Sequence, residues 1–351
     1  MLKLIGSIKV GADKSFSHRS LVLLAMSIGK AEIRNLLESE DVLNTLNILK
    51  ELGVRIIKKG DIYEVFGNGT NGFIEPKKAL NCGNSGTTAR LLIGAVSSNK
   101  IKCTFTGDSS LSSRDMSRIT KYLERIGADT CKTRKAYLPI MISGSEKLLP
   151  MTHVMEKASA QIKSALILAG LNIHGKTKIV ENQNTRDHTE KLMKYLKIKF
   201  KVKKLKNGGN EIELNGPYEI KSKNITIPGD PSSAAFFITA ALIIPRSKIV
   251  LKNVMLNPTR IAYLKILKKM GGKIQIKKSN NVSGEVVGNI TARYSKLKGI
   301  KIKSSLSPFL IDEYPIISIA ATQAKGTTIM YGLEELRHKE SDRINSIEIN
   351  L

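Results

Sequence analysis

The stretch Asp13-Lys14-Ser15-Phe16-Ser17-His18-Arg19 runs straight into the apolar segment Leu21-Val22-Leu23-Leu24-Ala25-Met26. Small hydroxyl residues just ahead of an apolar-periodic run mark a helix start. Lys14 and Arg19 fall in and beside the first turn, where free backbone N–H groups and the positive dipole end attract anions. Two cations, two hydroxyls and a helix N-terminus form a cradle for a phosphate or a carboxylate. Taken alone, the same residues also suit an ordinary Ser cap with solvated basic neighbours. The surrounding chain decides between the two.

Working outward, one pattern recurs. A polar, small-residue start leads into an apolar helix, a Gly and a short β segment; an amphipathic helix then runs to a Gly stop, followed by two strands. The starts fall at Lys14, Asn84, Ser159, Pro231 and Asp312, in steps of 70, 75, 72 and 81 residues. The second helices are expected at 41–52, 113–126, from about Thr185, at 257–270 and from about Glu340. In the first of them Val42, Leu46, Leu49 and Leu52 share one face. Hairpins are expected at 55–66 and around the turn 207–210, with a last short strand at 327–330. Five copies of a βαβαββ-like unit imply an α/β fold assembled from repeats rather than a doubly wound dinucleotide fold, and no G-x-G-x-x-G is present. The fifth copy has no Gly stop and no hairpin after 340–351, so it is expected to be incomplete.

A chain of 351 residues suggests about two domains. Met1-Leu2-Lys3-Leu4-Ile5-Gly6 leads into neither an apolar leader nor a cleavage site, and the longest apolar stretch, near 236–244, is too short to span a bilayer. A cytoplasmic protein is expected. Cys82, Cys103 and Cys131 form no C-x-x-C pair and read as reduced core cysteines. His18, His153, His174, His188 and His338 show no metal-binding spacing. The net charge of +27 raises nucleic-acid binding. Lysines are spread along the whole chain, however, and without Trp there are few stacking platforms. Solvated lysine faces and a site for small anions account for the charge better.

Convergent helix starts would suit a substrate with several negative charges. The groups placed there are Lys14, Ser15 and Arg19; Asn84 to Thr87 with Arg90; Ser159 and Gln161; Asp312 and Glu313; and Lys339-Glu340-x-x-Arg343. Arg114 and Arg118 are expected at the start of a second helix. Asp312 and Glu340, set among cations, could accept protons or serve only as caps and ion-pair partners. The loop 107–114 has no Cys, which disfavours a cysteine nucleophile.

The motifs Asp-Lys-Ser-x-Ser-His-Arg (13–19), Gly-Asn-Ser-Gly-Thr-Thr-Ala-Arg (83–90), Thr-Gly-Asp-x-Ser-Leu-x-x-Arg (106–114) and Ser-Ala-Gln-Ile-Lys-Ser-Ala (159–165) follow in order. Thr-Arg-Asp-His-Thr-Glu (185–190), Pro-Gly-Asp-Pro-Ser-Ser-Ala (228–234), Asp-Glu-Tyr-Pro (312–315) and Glu-Glu-Leu-Arg-x-Lys-Glu-Ser-Asp-Arg (334–343) complete the set. Together they resemble the 5-enolpyruvylshikimate-3-phosphate synthases (3-phosphoshikimate 1-carboxyvinyltransferases), in the branch that includes glyphosate-tolerant bacterial enzymes. The resemblance implies a two-domain enolpyruvyl transferase fold of repeated βαβαββ units, closing over its substrates. The expected domains are 13–227 and 1–12 with 228–351. It also implies transfer of the enolpyruvyl group of phosphoenolpyruvate to the 5-hydroxyl of shikimate 3-phosphate, in the shikimate pathway to chorismate and the aromatic amino acids. No metal or organic cofactor is implied, and a monomer is expected.

By motif, Lys14, Ser15, Arg19, Ser159, Ala160, Gln161, Arg186, Asp312 and Lys339 would hold shikimate 3-phosphate. Lys14, Gly86, Arg114, Gln161 and Arg343 would hold phosphoenolpyruvate. Asp312 would take the proton of the attacking hydroxyl, with Glu340 and Lys14 in the proton transfers at the methylene carbon. Three departures stand out. Gly11-Ala12 replaces the usual Pro-Gly, Asp115 replaces a Pro and sets a negative charge beside a phosphoenolpyruvate ligand, and the family's sixth unit has no counterpart. The chain is therefore expected to be truncated at its C-terminus. The alternatives are a truncated homologue that binds shikimate 3-phosphate without turnover, the related UDP-N-acetylglucosamine enolpyruvyl transferase, and an RNA-processing enzyme of similarly repeated fold. The Lys-Ser start and the Cys-free loop oppose the second of these.

Overall fold

A computed structural model describes residues 3–132 and 136–351, with the side chains of Lys132 and His338 excepted. Met1 and Leu2, in the expected leader and domain readings, and the His338 side chain, in the metal reading, lie outside the described residues. The chain forms two compact units, Lys14–Ile227 and Met1–Asp13 with Pro228–Leu351.

Among the described residues the unit Lys14–Ile227 holds three sheets wired alike. In each, a parallel strand pair is extended by an antiparallel hairpin. Leu80–Asn81 runs parallel to Lys102–Thr106, which pairs with Ile140–Ser143 and through it Asp129–Lys132. Thr152–Met155, Gly175–Glu181, Asn210–Gly216 and Phe200–Lys204 repeat that order. In the sheet built on Ser27–Arg34, Ile62–Asn68 and Arg55–Lys59 form the hairpin. Its parallel strand comes from far along the chain, as Ile220–Lys221 and Ile225–Thr226.

The helices of this unit are α1 (Lys14–Ala25), α2 (Glu40–Glu51), α3 (Gly86–Ser97), α4 (Ser109–Ser112), α5 (Ser117–Arg125), α6 (Ala160–Gly170) and α7 (His188–Tyr195). The apolar α1, α3 and α6 are buried along almost their whole length, as a helix hydrophobic on all sides must be. Gly94 lets α3 reach α6: a Cβ there would stand 2.4 Å from the Ala165 carbonyl oxygen. The amphipathic α2 buries Val42, Leu46 and Leu49, as its pattern predicts.

One expected helix, 113–126, is shorter: α5 starts only at Ser117, and α4 lies wholly ahead of the expected range. Asp115 accepts from the Ser117 N–H and hydroxyl, both at 2.7 Å, in a turn ahead of α5, whose N-cap Met116 makes no side-chain cap. Arg114 therefore sits in the turn ahead of the helix, while Arg118 lies in its first turn. Cys82 and Cys103 are buried, but Cys131 is exposed, contrary to the reading of all three as core residues. Its strand lies at the edge of its sheet, where a neighbour covers one side only.

The second unit repeats the wiring. Ile5–Lys9 is the parallel partner of Lys248–Met255, and Glu285–Arg293 and Lys273–Val282 follow antiparallel. Its helices are α8 (Pro231–Ile243), α9 (Ala262–Lys269), α10 (Ser307–Leu310), α11 (Tyr314–Thr322) and α12 (Arg343–Asn350). Lys301–Ile302 and Ile329–Met330 form a short parallel pair on either side of α10 and α11, so the expected strand 327–330 is shorter. Tyr263, Tyr314, Leu251, Ile290 and Ile317 lie in its core. Helix α9 starts at Ala262 rather than 257, because Asn257 turns back to accept from the Thr259 N–H at 2.9 Å and donates to Glu285 at 2.8 Å. Helix α12 starts at Arg343 rather than Glu340, capped by Asp342 on the N–H groups of Ile344 and Asn345 at 3.0 and 3.1 Å. Among the described residues no helix is long and apolar enough to cross a membrane, and no group of three His, Cys, Asp or Glu could hold a metal ion.

Candidate active site

In the unit Lys14–Ile227, helix starts bring polar groups together as the repeats suggest. The Ser85 hydroxyl caps α3 by accepting from the Thr88 N–H at 3.1 Å, and Gly86 opens the helix. Both neighbouring guanidiniums lie over Gly86: a Cβ there would be 2.7 Å from Arg90 Nη1 and 3.2 Å from Arg114 Nη1. Arg114 Nη2 donates to Asn84 at 2.6 Å, and Asn84 in turn donates to Asp108 at 2.7 Å. The Leu111 N–H and the Asn84 amide hold the Asp108 carboxyl below its usual range. Arg90 Nη1 donates to Gln161 Oε1 at 2.8 Å, and Gln161 Nε2 donates to the Thr87 hydroxyl at 2.8 Å. Gly86, Arg90, Arg114 and Gln161 thus form one cationic surface over the start of a buried helix. The Asp115 carboxylate, expected to disturb this region, is engaged with Ser117.

At the start of α1, Lys14 is half-exposed and ion-paired with Asp41. Ser15 is half-buried. Arg19 is only 4 % exposed. Its Nη1 donates to the Ser15 carbonyl at 3.0 Å, its Nε to Thr189 Oγ1 at 3.0 Å and to Ser164 Oγ at 3.3 Å, and its Nη2 to Ser164 Oγ at 3.2 Å. Ser159 is the N-cap of α6 and accepts from the Ile162 N–H at 3.4 Å, with Ala160 and Gln161 in the first turn. The capping alternative therefore holds for Ser159, whose hydroxyl hydrogen is still able to donate. Arg186 is half-buried in the turn ahead of α7.

In the other unit four expected residues meet. Arg343 Nη1 donates to Asp312 Oδ1 at 3.1 Å and to the Ile311 carbonyl at 3.2 Å, while its Nη2 reaches Glu340 Oε2 at 2.9 Å. Burial pulls the Lys339 ammonium below the ordinary lysine range, against the opposing pull of Asp312, Glu335 and Glu340. A lysine eased toward its neutral form beside two carboxylates and an arginine suits proton transfer. A cleft of about 260 Å³ beside Arg343 is otherwise lined mainly by apolar groups, including Phe236, Ile316, Ile319 and Ile347; it offers little to an anion.

Sequence reasoning passed over Arg260. It is buried, with Nη1 on Asp13 at 2.6 Å and Nη2 on Asp230 and the Ser232 hydroxyl, both at 2.9 Å. Ser232 in turn donates to Glu313, the neighbour of Asp312. Burial opposes the guanidinium charge, yet Asp13, Asp230 and Glu313 hold the Arg260 pKa above its ordinary value. The residue escaped notice because Asp13 is 247 positions away. Lys163 and its partners Glu181 and Glu190 were passed over for a different reason. Within an apolar helix run, a single lysine carries no sequence signal of being paired.

Comparison with known proteins places the chain in a family. The family profile of EPSP synthase (3-phosphoshikimate 1-carboxyvinyltransferase) matches residues 2–351. A 3-phosphoshikimate 1-carboxyvinyltransferase of Sphingopyxis alaskensis is 43 % identical over 344 residues, covering 97 % of this chain and 77 % of that protein. One from Bartonella henselae is 43 % identical over 343 residues, covering 98 % and 78 %. The structure of EPSP synthase from Acinetobacter baumannii superimposes with a TM-score of 0.88 at 39 % identity, covering 99 % of this chain and 78 % of that one. With the profile match running from residue 2 to residue 351 and relatives 43 % identical over almost the whole chain, the chain belongs to the EPSP synthase family.

Proposed function

We propose that this chain transfers the enolpyruvyl group of phosphoenolpyruvate to the 5-hydroxyl of shikimate 3-phosphate, as a monomer in the cytoplasm and without a metal or organic cofactor. The observation that carries the reading is the cluster of Asp312, Glu340 and Lys339 around Arg343, two carboxylates and a buried lysine held beside one guanidinium. Asp312 accepts the proton of the 5-hydroxyl as its oxygen bonds to C2 of phosphoenolpyruvate. Glu340 and Lys14 serve the methylene carbon, which gains a proton to become a methyl group. Loss of a proton from that methyl restores the double bond as the C2–O bond to phosphate breaks and inorganic phosphate departs. Protons and electron pairs balance over the two halves.

Lys14, Ser15, Arg19, Ser159, Ala160, Gln161, Arg186, Asp312 and Lys339 bind shikimate 3-phosphate in this reading. Lys14, Gly86, Arg114, Gln161 and Arg343 bind phosphoenolpyruvate, with Arg90 added because its guanidinium lies over Gly86 and holds Gln161. Fixed cations and helix N-termini aimed at developing charge lower the barrier most where water is excluded. Phosphate release tests the proposal: it is expected with both substrates together and with neither alone. Absence of release with shikimate 3-phosphate binding retained would refute turnover and favour a binding-only homologue.

A further inference from the structure

Beneath the start of α6 lies an ion triad that the catalytic reading does not use. Lys163 has no exposed surface, and its Nζ lies 2.7 Å from Glu190 Oε1 on α7 and 3.2 Å from Glu181 Oε1 at the end of strand Gly175–Glu181. Glu181 is equally buried and Glu190 is 8 % exposed. Burial opposes the ammonium charge, but Glu190 and Glu181 hold the Lys163 pKa above its ordinary value.

Stability alone is a weak reason for such a triad. Each buried ion loses hydration worth several kcal/mol, and apolar replacements of similar volume are often as stable or more so. What the triad does specify is register. It joins α6, α7 and one strand at a single point, and each element delivers a substrate-facing group within a few residues. Ser159, Ala160 and Gln161 lie two to four positions before Lys163. Glu181 also accepts from the Thr185 hydroxyl at 2.7 Å and from Asn210 Nδ2 at 3.1 Å, and Thr185 directly precedes Arg186. Ser164 and Thr189, the chain neighbours of Lys163 and Glu190, lie 2.7 Å apart and both receive Arg19.

We infer that Lys163, with Glu181 and Glu190, is a positioning device that holds Arg19, Gln161 and Arg186 in the arrangement that receives the phosphate and carboxylate of shikimate 3-phosphate. The triad touches no substrate and acts by fixing the elements that do. This rests on the reading of shikimate 3-phosphate as the ligand of those residues.

The test measures shikimate 3-phosphate affinity by calorimetry alongside thermal unfolding in K163M/E181M/E190M, which removes all three charges and leaves none unpaired. The expected result is a dissociation constant about tenfold weaker, less than for the outright loss of one charge-assisted contact because the binding groups are displaced rather than removed, with an unfolding temperature no lower than that of the unaltered chain. T185V, which removes one hydroxyl next to Arg186, is expected to weaken binding at least about threefold and decides the matter should the triple variant not fold. Affinity within a factor of about two of the unaltered chain in every folded variant overturns the inference and leaves the substrate reading intact. An unaltered chain that binds no shikimate 3-phosphate overturns both.

Discussion

Gly86 gives the sharpest separation of binding from folding. In Gly86→Ala the new methyl would stand 2.7 Å from Arg90 Nη1 and 3.2 Å from Arg114 Nη1, with no backbone atom among these neighbours. Both are the far ends of flexible side chains, so the fold yields cheaply. Gly86 is the first residue of α3, where Ala in place of Gly gains roughly 0.5–1 kcal/mol by restricting the unfolded chain. The clash moves Arg90 off Gln161, now 2.8 Å away, and pushes Arg114 outward. Losing one charge-assisted hydrogen bond to a bound anion costs about 2 kcal/mol, or roughly thirtyfold in affinity. The expected outcome is a KM for phosphoenolpyruvate about thirtyfold higher, shikimate 3-phosphate affinity changed far less, and a melting temperature equal or slightly higher. An unchanged KM for phosphoenolpyruvate would refute the placement of Arg90 and Arg114 as its ligands, and a fall of several degrees in melting temperature would refute the claim that only side-chain ends give way.

Removing the cation in Arg260→Met leaves Asp13 and Asp230 buried without it; this should destabilise by about 3–5 kcal/mol in urea unfolding, and a loss below about 1 kcal/mol would contradict the clamp. Burial, aided by Arg125, lowers the His153 pKa from 6.5 to about 4. The unfolded chain therefore takes up the proton first. Stability present above pH 6.5 is lost as the pH falls toward about 4, by up to about 3 kcal/mol, and His153→Leu should flatten that part of the profile. A thiol reagent should label Cys131 alone in the folded protein, because burial encloses Cys82 and Cys103 and pushes both thiols up to about 12; rapid labelling of all three would contradict that burial.

The repeats were legible because each unit carries its own punctuation: a polar cap, an apolar helix, a Gly stop and a hairpin are all local. What stayed hidden is what distance conceals. Nothing near Ile5 shows that its strand pairs with Lys248, and nothing near Ser27 calls for Ile220 as its parallel neighbour. The site behaves likewise. Ser159 and Gly86 announce themselves at helix starts, and Asp312, Lys339, Glu340 and Arg343 come together where the resemblance implies a site. Arg114 lies ahead of the helix expected to hold it, because the turn at Asp115 that delays α5 to Ser117 reads from sequence only as a lost Pro. The Arg260 clamp and the Lys163 triad join residues from separate elements, and a buried charge is recognised only by its partners.

The central claim is a change of bonds, and proton NMR of a reaction mixture reads it directly. With shikimate 3-phosphate and phosphoenolpyruvate both present, the account predicts that the vinyl signals of phosphoenolpyruvate give way to those of an enolpyruvyl ether, matched mole for mole by inorganic phosphate. Vinyl signals that stay those of phosphoenolpyruvate while shikimate 3-phosphate is bound would contradict it.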